Sequence, residues 1–297
     1  MIYDAIIIGK GPAGISAALY TIRSNMKTLV IGMDISSLAK AEKIENYYGF
    51  AKPVSGKLLL EEGEAQVKNI GGEILVEEVV GIEKEDIFIV KTTKNTYKAI
   101  SVLIAAGQKP AGVKIRGIKK FEGKGVSYCT TCDGFFYRGK NVGVLGYKNY
   151  ALLEANELVN FTDKITIFTN GVKPEFSSEV EHLIPKFNFI NTPIHELEGT
   201  EVIEQVVFED GTKLPIDGMF IAYDSASSIS FALKMGILTQ EQAIVTNTNQ
   251  ETNIEGLYAA GDCTGVFKQV SVAVGQGAIA GKHMAEYIRA KKKSELV

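Results

Sequence analysis

The sequence predicts an α/β fold of two Rossmann-like nucleotide-binding domains, the second inserted into the first, and three observations carry that expectation. Gly9, Gly11 and Gly14 form G-x-G-x-x-G between an apolar run and a helical pattern. The strand, helix, strand order around that loop recurs near Asn141. Each copy then has short hairpin-like segments and a later apolar strand, the pattern of a three-layer ββα domain. A chain of 297 residues has room for both, at roughly 150 residues per domain.

In order, residues 3–8 are apolar and β-branched and read as a strand, GKGPAG as a turn, 15–25 as a helix and 27–31 as a second strand. Segments 75–82 and 86–92 read as hairpin pieces, and 101–106 as an apolar strand. The second copy has a strand at 142–145, a helix over 150–161, a strand at 164–168, hairpin pieces at 201–208 and 212–215, and an apolar strand at 219–223. Past Glu251, TNIEGLYAAGDCTG leads to a helix over 270–289 and a basic tail. Apolar strands give way to Gly, Pro or polar residues at 107–112 and 244–248, so the chain is expected to cross between domains there. One domain is then 1–111 with 244–297, and the other 112–243.

Composition narrows the function classes. Hydrophobic residues at 45% and charged residues at 23% are ordinary for a globular protein, and no apolar run approaches the roughly 18 residues of a membrane span. Lys plus Arg at 32 against Asp plus Glu at 35 gives net −3, which removes bulk attraction to nucleic acid or anionic lipid. MIYDAIIIGKGPAG has no basic leader before its apolar run, so it reads as a strand, and a cytoplasmic address is expected. Three cysteines are too few, and odd in number, for a disulfide scaffold.

In the glycine loop, Gly9 permits the turn, Gly11 lets a pyrophosphate approach the backbone, and Gly14 lets helix and strand pack closely. The helix N-terminus that follows the loop then faces the phosphates. Asp34 lies about 20 residues beyond the last glycine, where an acidic side chain can bind ribose hydroxyls. The bland reading is a glycine turn in an ordinary α/β protein, and the motif alone does not separate FAD from NAD.

Cys129 and Cys132 have two residues between them, the spacing at which a tight turn brings two sulfurs to bonding distance and activates one thiol. A zinc site needs two more ligands, and His182, His195, His283 and Cys263 stand far off without knuckle-like spacing. Asp133 follows the pair and reads either as a proton source for a departing thiolate or as a helix N-cap. Cys263, in an AAGDC turn, reads as a small buried hydrophobe.

GKGPAG, IENYYGF at 44–50, IAAGQKP at 104–110, YCTTCDGFFYRGK at 128–140 and GLYAAGDC at 256–263 occur in that order. Together they resemble the low-molecular-weight thioredoxin reductase family of flavoproteins over nearly the whole chain. The resemblance implies an FAD domain interrupted by a smaller one, thioredoxin as partner and a homodimer. For FAD it implies Gly9, Gly11, Pro12, Ala13 and Gly14 on the pyrophosphate, Asp34 near the ribose and Asn46 toward the flavin. It adds Ala106 and Gly107, Gly261 and Asp262 on the ribityl and phosphate region, and Lys268, Gln269 and Val270 near the isoalloxazine. Cys132 would face the flavin and Cys129 attack the partner disulfide, with Asp133 beside them. One loop departs, the family's Gly-Gly-Gln after the acidic residue being Ser36, Ser37, Leu38 here.

The family's second glycine loop binds NADPH, and here it reads Gly146-Tyr147-Lys148-Asn149-Tyr150-Ala151, with Lys148 where a bare backbone should meet the pyrophosphate. The strand end at 167–171 lacks the family's arginines for a 2′-phosphate, and Tyr223 replaces the glycine of a later Gly-x-x-Pro turn. NADPH is therefore not expected. The pattern resembles the ferredoxin-dependent flavin thioredoxin reductases, which implies ferredoxin as electron donor. From about −400 mV to about −270 mV, two electrons fall by roughly 6 kcal/mol, so no nicotinamide is needed. Lys114, Arg116, Lys119, Lys120, Lys124, Arg138, Lys140 and Lys291 to Lys293 are candidates for docking an acidic donor or are solvated surface. The competing readings are an NADPH-dependent reductase with a divergent site, a flavin dithiol oxidase and a redox sensor without turnover. The oxidases commonly carry histidine where Asp133 stands.

Overall fold

A computed structural model describes residues 1–34, 36–107, 113–223, 226–241, 243–265 and 267–294. Among them are six α-helices: α1 (Pro12–Arg23), α2 (Gly56–Asn69), α3 (Thr130–Asp133), α4 (Asn149–Leu158), α5 (Ser228–Met235) and α6 (Val270–Ser294). The chain divides into two compact units, Met1–Gln108 with Ser227–Val297, and Lys109–Ala226. Of the first expected crossing, 107–112, only Gly107 is among the described residues. The second is corrected, because the chain returns to the first unit at residue 227 and not near 244. Helix α5 and the small hairpin of Thr239–Gln240 with Ala243–Ile244 belong to the first unit, and nothing in their short local pattern announces that membership.

The first unit is built on a sheet ordered Glu73–Leu75, Thr28–Ile31, Ile2–Ile8, Thr96–Ile104, Phe88–Thr92, Val79–Lys84, with Leu257–Ala259 also paired to Thr96–Ile104. Strand Ile2–Ile8 is parallel to both neighbours, Ile7 standing opposite Val30 and Leu103. Ala5, Ile6 and Ile7 are fully buried, which is why this strand reads as a continuous apolar run. The 79–104 part is an antiparallel meander that shares its last strand with the parallel core. Helix α1 starts with Gly11 as N-cap and Pro12 in its first turn, and it ends before Asn25, whose φ of 62° is left-handed. Helix α6 lies against it with very close backbone approach, since a Cβ on Gly277 or Gly281 would stand 2.1 Å from the Ala13 oxygen or 2.5 Å from that of Ala17.

The second unit has a parallel sheet ordered Asn188–Ile190, Ile165–Phe168, Val142–Leu145, Gly218–Ile221, Val126–Ser127, plus an antiparallel sheet of Ile194–Glu198, Gln205–Phe208 and Lys213–Pro215. Strand Ile194–Glu198, with its alternating charges, is not among the expected ones. Helix α4 buries Tyr150, Ala151, Leu152, Ala155 and Leu158 in a core with Val144 and Ile167. No described helix is long and apolar enough to cross a membrane.

Candidate functional site

In the first unit the strand Ile2–Ile8 delivers the chain into Gly9, whose φ of +116° and a would-be Cβ only 2.2 Å from the Ala105 oxygen leave room for glycine alone. Gly14 is equally constrained, because its Cβ would stand 1.8 Å from the Gly9 oxygen. Gly11 is the opposite case. Nothing lies within 4 Å of a Cβ there, so the backbone at the start of α1 is open on that side. Open backbone at a helix N-terminus is what an anionic diphosphate needs, and the loop fits a dinucleotide.

Among the other expected contacts, Gly261, Ala106 and Asp34 lie against this loop or its Lys10. Gly261, at φ +83°, follows the strand Leu257–Ala259, and a Cβ on it would lie 3.0 Å from the Ala13 Cβ. Its N–H donates to Gln276 Oε1 at 2.8 Å, and Asp262 opens the next short turn. Asn46 Nδ2 donates to Gln269 Oε1 at 2.9 Å, joining two expected flavin neighbours 223 residues apart in the chain. Lys268 is exposed and precedes Val270, the first residue of α6. Ala106 is exposed, and Gly107, at φ +69°, accepts a hydrogen bond from the Ser228 hydroxyl at 2.9 Å. Asp34 is exposed and ion-paired with Lys10, which also reaches Glu64 at 2.7 Å. Burial works to lower the Lys10 pKa, but the hydrogen bonds and charges of Asp34 and Glu64 together outweigh it and hold the ammonium above the ordinary lysine value. Glu64 and Gln276 carry no sequence signal, since only contact in space links them to the loop, whereas Lys10 lies inside the loop as one of its unspecified positions. Cys263 is buried as expected, and burial pushes its thiol pKa up to about 12.

In the second unit, Cys129 and Cys132 are joined in a disulfide with Cα atoms 5.3 Å apart. Strand Val126–Ser127 delivers Cys129 to the N-cap of α3, where its sulfur accepts the Cys132 N–H at 3.1 Å. That contact favours negative charge on the Cys129 sulfur once the bond is opened. Cys129 is only 4% exposed, whereas Cys132 is exposed. Asp133 is the last residue of α3 and stands at the N-cap position of the short 3-10 turn Gly134–Tyr137, where its side chain makes no capping hydrogen bond. The Cys129 sulfur caps α3 itself, and the Asp133 carboxylate accepts the Ser127 hydroxyl at 2.6 Å. Burial, and then the charges of Asp133 and Asp217, raise the Tyr137 phenol pKa above its ordinary value. Phe135 and Phe136 follow the dithiol and are 58% and 68% exposed, with the Arg138 guanidinium 4.7 Å from the Phe135 ring centre. Among the described residues no cluster of three or more His, Cys, Asp or Glu is arranged to hold a metal ion.

At the second glycine loop, side chains of the same unit pack against one another. Tyr147 and Tyr223 meet edge to face with ring centres 5.1 Å apart, and Lys148 Nζ lies 5.2 Å from the Tyr147 centre. Glu175 N–H donates to the Tyr147 oxygen at 2.8 Å, and its backbone bridges to Lys148. The Asn149 side chain both accepts the Ser177 N–H and donates to the Ser177 hydroxyl, each at 2.9 Å. Residues 175–177 are thus strapped to the start of α4. Asn170, where the family carries its clamp, has φ +53° and spends its Oδ1 on the Ile194 N–H at 2.7 Å. Of the later turn, Tyr223 is described, while Asp224 and Ser225 lie outside the described residues.

Comparison with known proteins agrees with the two-domain dinucleotide fold. Residues 3–277 match the family described as pyridine nucleotide-disulphide oxidoreductase. A thioredoxin reductase of Peptoclostridium litorale is 35% identical over 312 residues, covering 97% of both chains. Among solved structures, the atypical thioredoxin reductase TRi of Desulfovibrio vulgaris Hildenborough is 37% identical with a TM-score of 0.93, covering 97% of this chain and 98% of its own. A ferredoxin-flavin thioredoxin reductase of Clostridium acetobutylicum is 31% identical with a TM-score of 0.73, covering 97% and 99%. The chain therefore belongs to the pyridine nucleotide-disulphide oxidoreductase family and, within it, to the thioredoxin reductases.

Proposed function

We propose that this protein is an FAD-dependent reductase of thioredoxin-type disulfides, and that its electrons come from a ferredoxin-type donor and not from NADPH. The observation that carries the donor assignment is the contrast between the two glycine loops. Gly11 faces open space, whereas the loop at 146–149 carries Tyr147 and Lys148 packed together with Tyr223 and is strapped by residues 175–177. The likeness to the ferredoxin-flavin thioredoxin reductase of Clostridium acetobutylicum supports the same donor class.

In this reading Gly9, Gly11, Pro12, Ala13 and Gly14 hold the FAD pyrophosphate with Gly261 and Asp262 beside them. Asp34 serves the ribose, and Asn46, Ala106, Gly107, Lys268, Gln269 and Val270 serve the flavin end. FAD, when bound, supplies the means of accepting electrons from the donor and passing a pair to the disulfide. Opening Cys129–Cys132 takes up two electrons and two protons. The Cys129 thiolate then attacks the partner disulfide, one partner sulfur leaves as thiolate, and the Cys132 thiolate displaces the other from the mixed disulfide, closing Cys129–Cys132 again. Asp133, held by Ser127, is the carboxyl able to hand a proton to a departing thiolate. Exposed Phe135 and Phe136 beside the dithiol suit a protein partner. The homodimer and the cytoplasmic address belong to the same proposal. The test is anaerobic turnover of oxidised thioredoxin with reduced ferredoxin or with NADPH. Thiols should form with ferredoxin only, and failure with both donors would overturn the assignment.

A further inference from the structure

The two threonines between the cysteines are each held by a glutamate of α4. Thr130 is fully buried, and its hydroxyl donates to Glu154 Oε2 at 2.6 Å, with Glu154 itself 3% exposed. Thr131 donates to Glu157 Oε2 at 3.3 Å. Glu154 and Glu157 are three residues apart and share one face of the helix. An O–H···O separation of 2.6 Å is in the range of charge-assisted hydrogen bonds, roughly twice as strong as neutral ones. Removing a carboxyl group from water is costly, so a buried glutamate committed to the residue after Cys129 bears directly on that turn. Thr130 is the first residue of α3, the turn in which the Cys132 N–H meets the Cys129 sulfur.

We propose that Glu154 is a positioning residue for the dithiol. Acting through Thr130, it holds the turn in the form that brings the two sulfurs together and so makes the pair's reduction potential more negative. Closure of the disulfide is an intramolecular exchange, and its equilibrium constant rises with the concentration of one sulfur at the other. Loosening the turn lowers that concentration and favours the open dithiol. The inference rests on the dithiol reading above, but it needs neither thioredoxin nor an electron donor for its test.

The holoenzyme and its variants are equilibrated anaerobically with mixtures of reduced and oxidised dithiothreitol, and the open fraction of Cys129–Cys132 is read by alkylation and mass spectrometry. Thr130→Val and Glu154→Leu should each lower the equilibrium constant for closure about tenfold, which is about 30 mV less negative. Thr130→Ser, which keeps the hydroxyl, should stay within about threefold of the unmodified protein. The double variant should shift no further than either single one, because both break the same bond. If Glu154→Leu does not fold, the contrast between Thr130→Val and Thr130→Ser carries the test. Singles within threefold of the unmodified protein, a double equal to the sum of its singles, or Thr130→Ser behaving like Thr130→Val would each overturn the proposal. A bond that never equilibrates in the unmodified protein would overturn the dithiol reading, and this inference with it.

Discussion

Adding one methyl group at either of two glycines five or fewer residues into the first loop should separate folding from cofactor binding. At Gly11 an added Cβ meets nothing within 4 Å, and φ −81° with ψ −176° suits alanine, so Gly11→Ala costs only the N-cap preference of glycine over alanine. That is about 1 kcal/mol, and in a chain this long it lowers Tm by about 2–4 °C. The same methyl group projects into the space assigned to the pyrophosphate, so FAD affinity should fall between tenfold and a hundredfold, about 1.4–2.7 kcal/mol. At Gly14 the Cβ would stand 1.8 Å from the Gly9 oxygen and 3.2 Å from Ile7 Cγ2, so the turn itself must move. Overpacking of this kind costs about 1–3 kcal/mol, offset by less than about 1 kcal/mol of helix preference. Gly14→Ala should therefore lose stability first and FAD as a consequence. Flavin fluorescence titration of the apoprotein and thermal melts of the same samples measure both quantities. A Gly11→Ala variant that keeps FAD affinity within threefold would refute the placing of the pyrophosphate.

Three other outcomes follow from the same structure. Cys132→Ser should trap thioredoxin as a stable mixed disulfide through Cys129, seen on non-reducing gels. Trapping by Cys129→Ser instead would give the attacking role to Cys132, the more exposed of the two. Flavin reduction by ferredoxin should slow as salt rises, since attraction between an acidic donor and surface lysines is screened over about 10 Å at 0.1 M, and a salt-independent rate measured by stopped flow would remove the basic patches from docking. The buried Cys263 thiol keeps its proton up to about pH 12 when folded, whereas an unfolded thiol loses it near 8.5. The unfolded chain then binds fewer protons, so stability should fall by about 1.4 kcal/mol per pH unit across that window. Urea melts at pH 8 and pH 10 should show Cys263→Ala with the smaller loss, and equal losses in both proteins would contradict the assignment.

The parts of the molecule that were legible in the sequence are those whose signal is local. Strand Ile2–Ile8, the glycine turn and α1 follow from an apolar run, three glycines and a 3.6-residue pattern, and each glycine has a separate steric or spatial reason. The C-x-x-C turn likewise announces its disulfide. What stayed hidden depends on partners distant in sequence. Gly277 and Gly281 read as weak points of a helix until Ala13 and Ala17 are seen against them. Glu154 reads as one acidic residue on a helix until Thr130 meets it 24 residues away. The return to the first unit at 227 is set by the packing of α5, which no composition change marks. The glycine loop at 146–149 was legible as altered, but the strap from Glu175 to Ser177 was not, because those residues form no motif.

Which reductant reaches the flavin separates a ferredoxin-type donor from a nicotinamide. The FAD-loaded protein, held without oxygen, is mixed with millimolar NADPH, with NADH, or with reduced ferredoxin while the flavin absorbance band is followed. Reduced ferredoxin should bleach the band completely, and both nicotinamides should leave it standing on the timescale of turnover. Rapid, saturable bleaching by NADPH would contradict the donor assignment while leaving FAD and the Cys129–Cys132 dithiol in place.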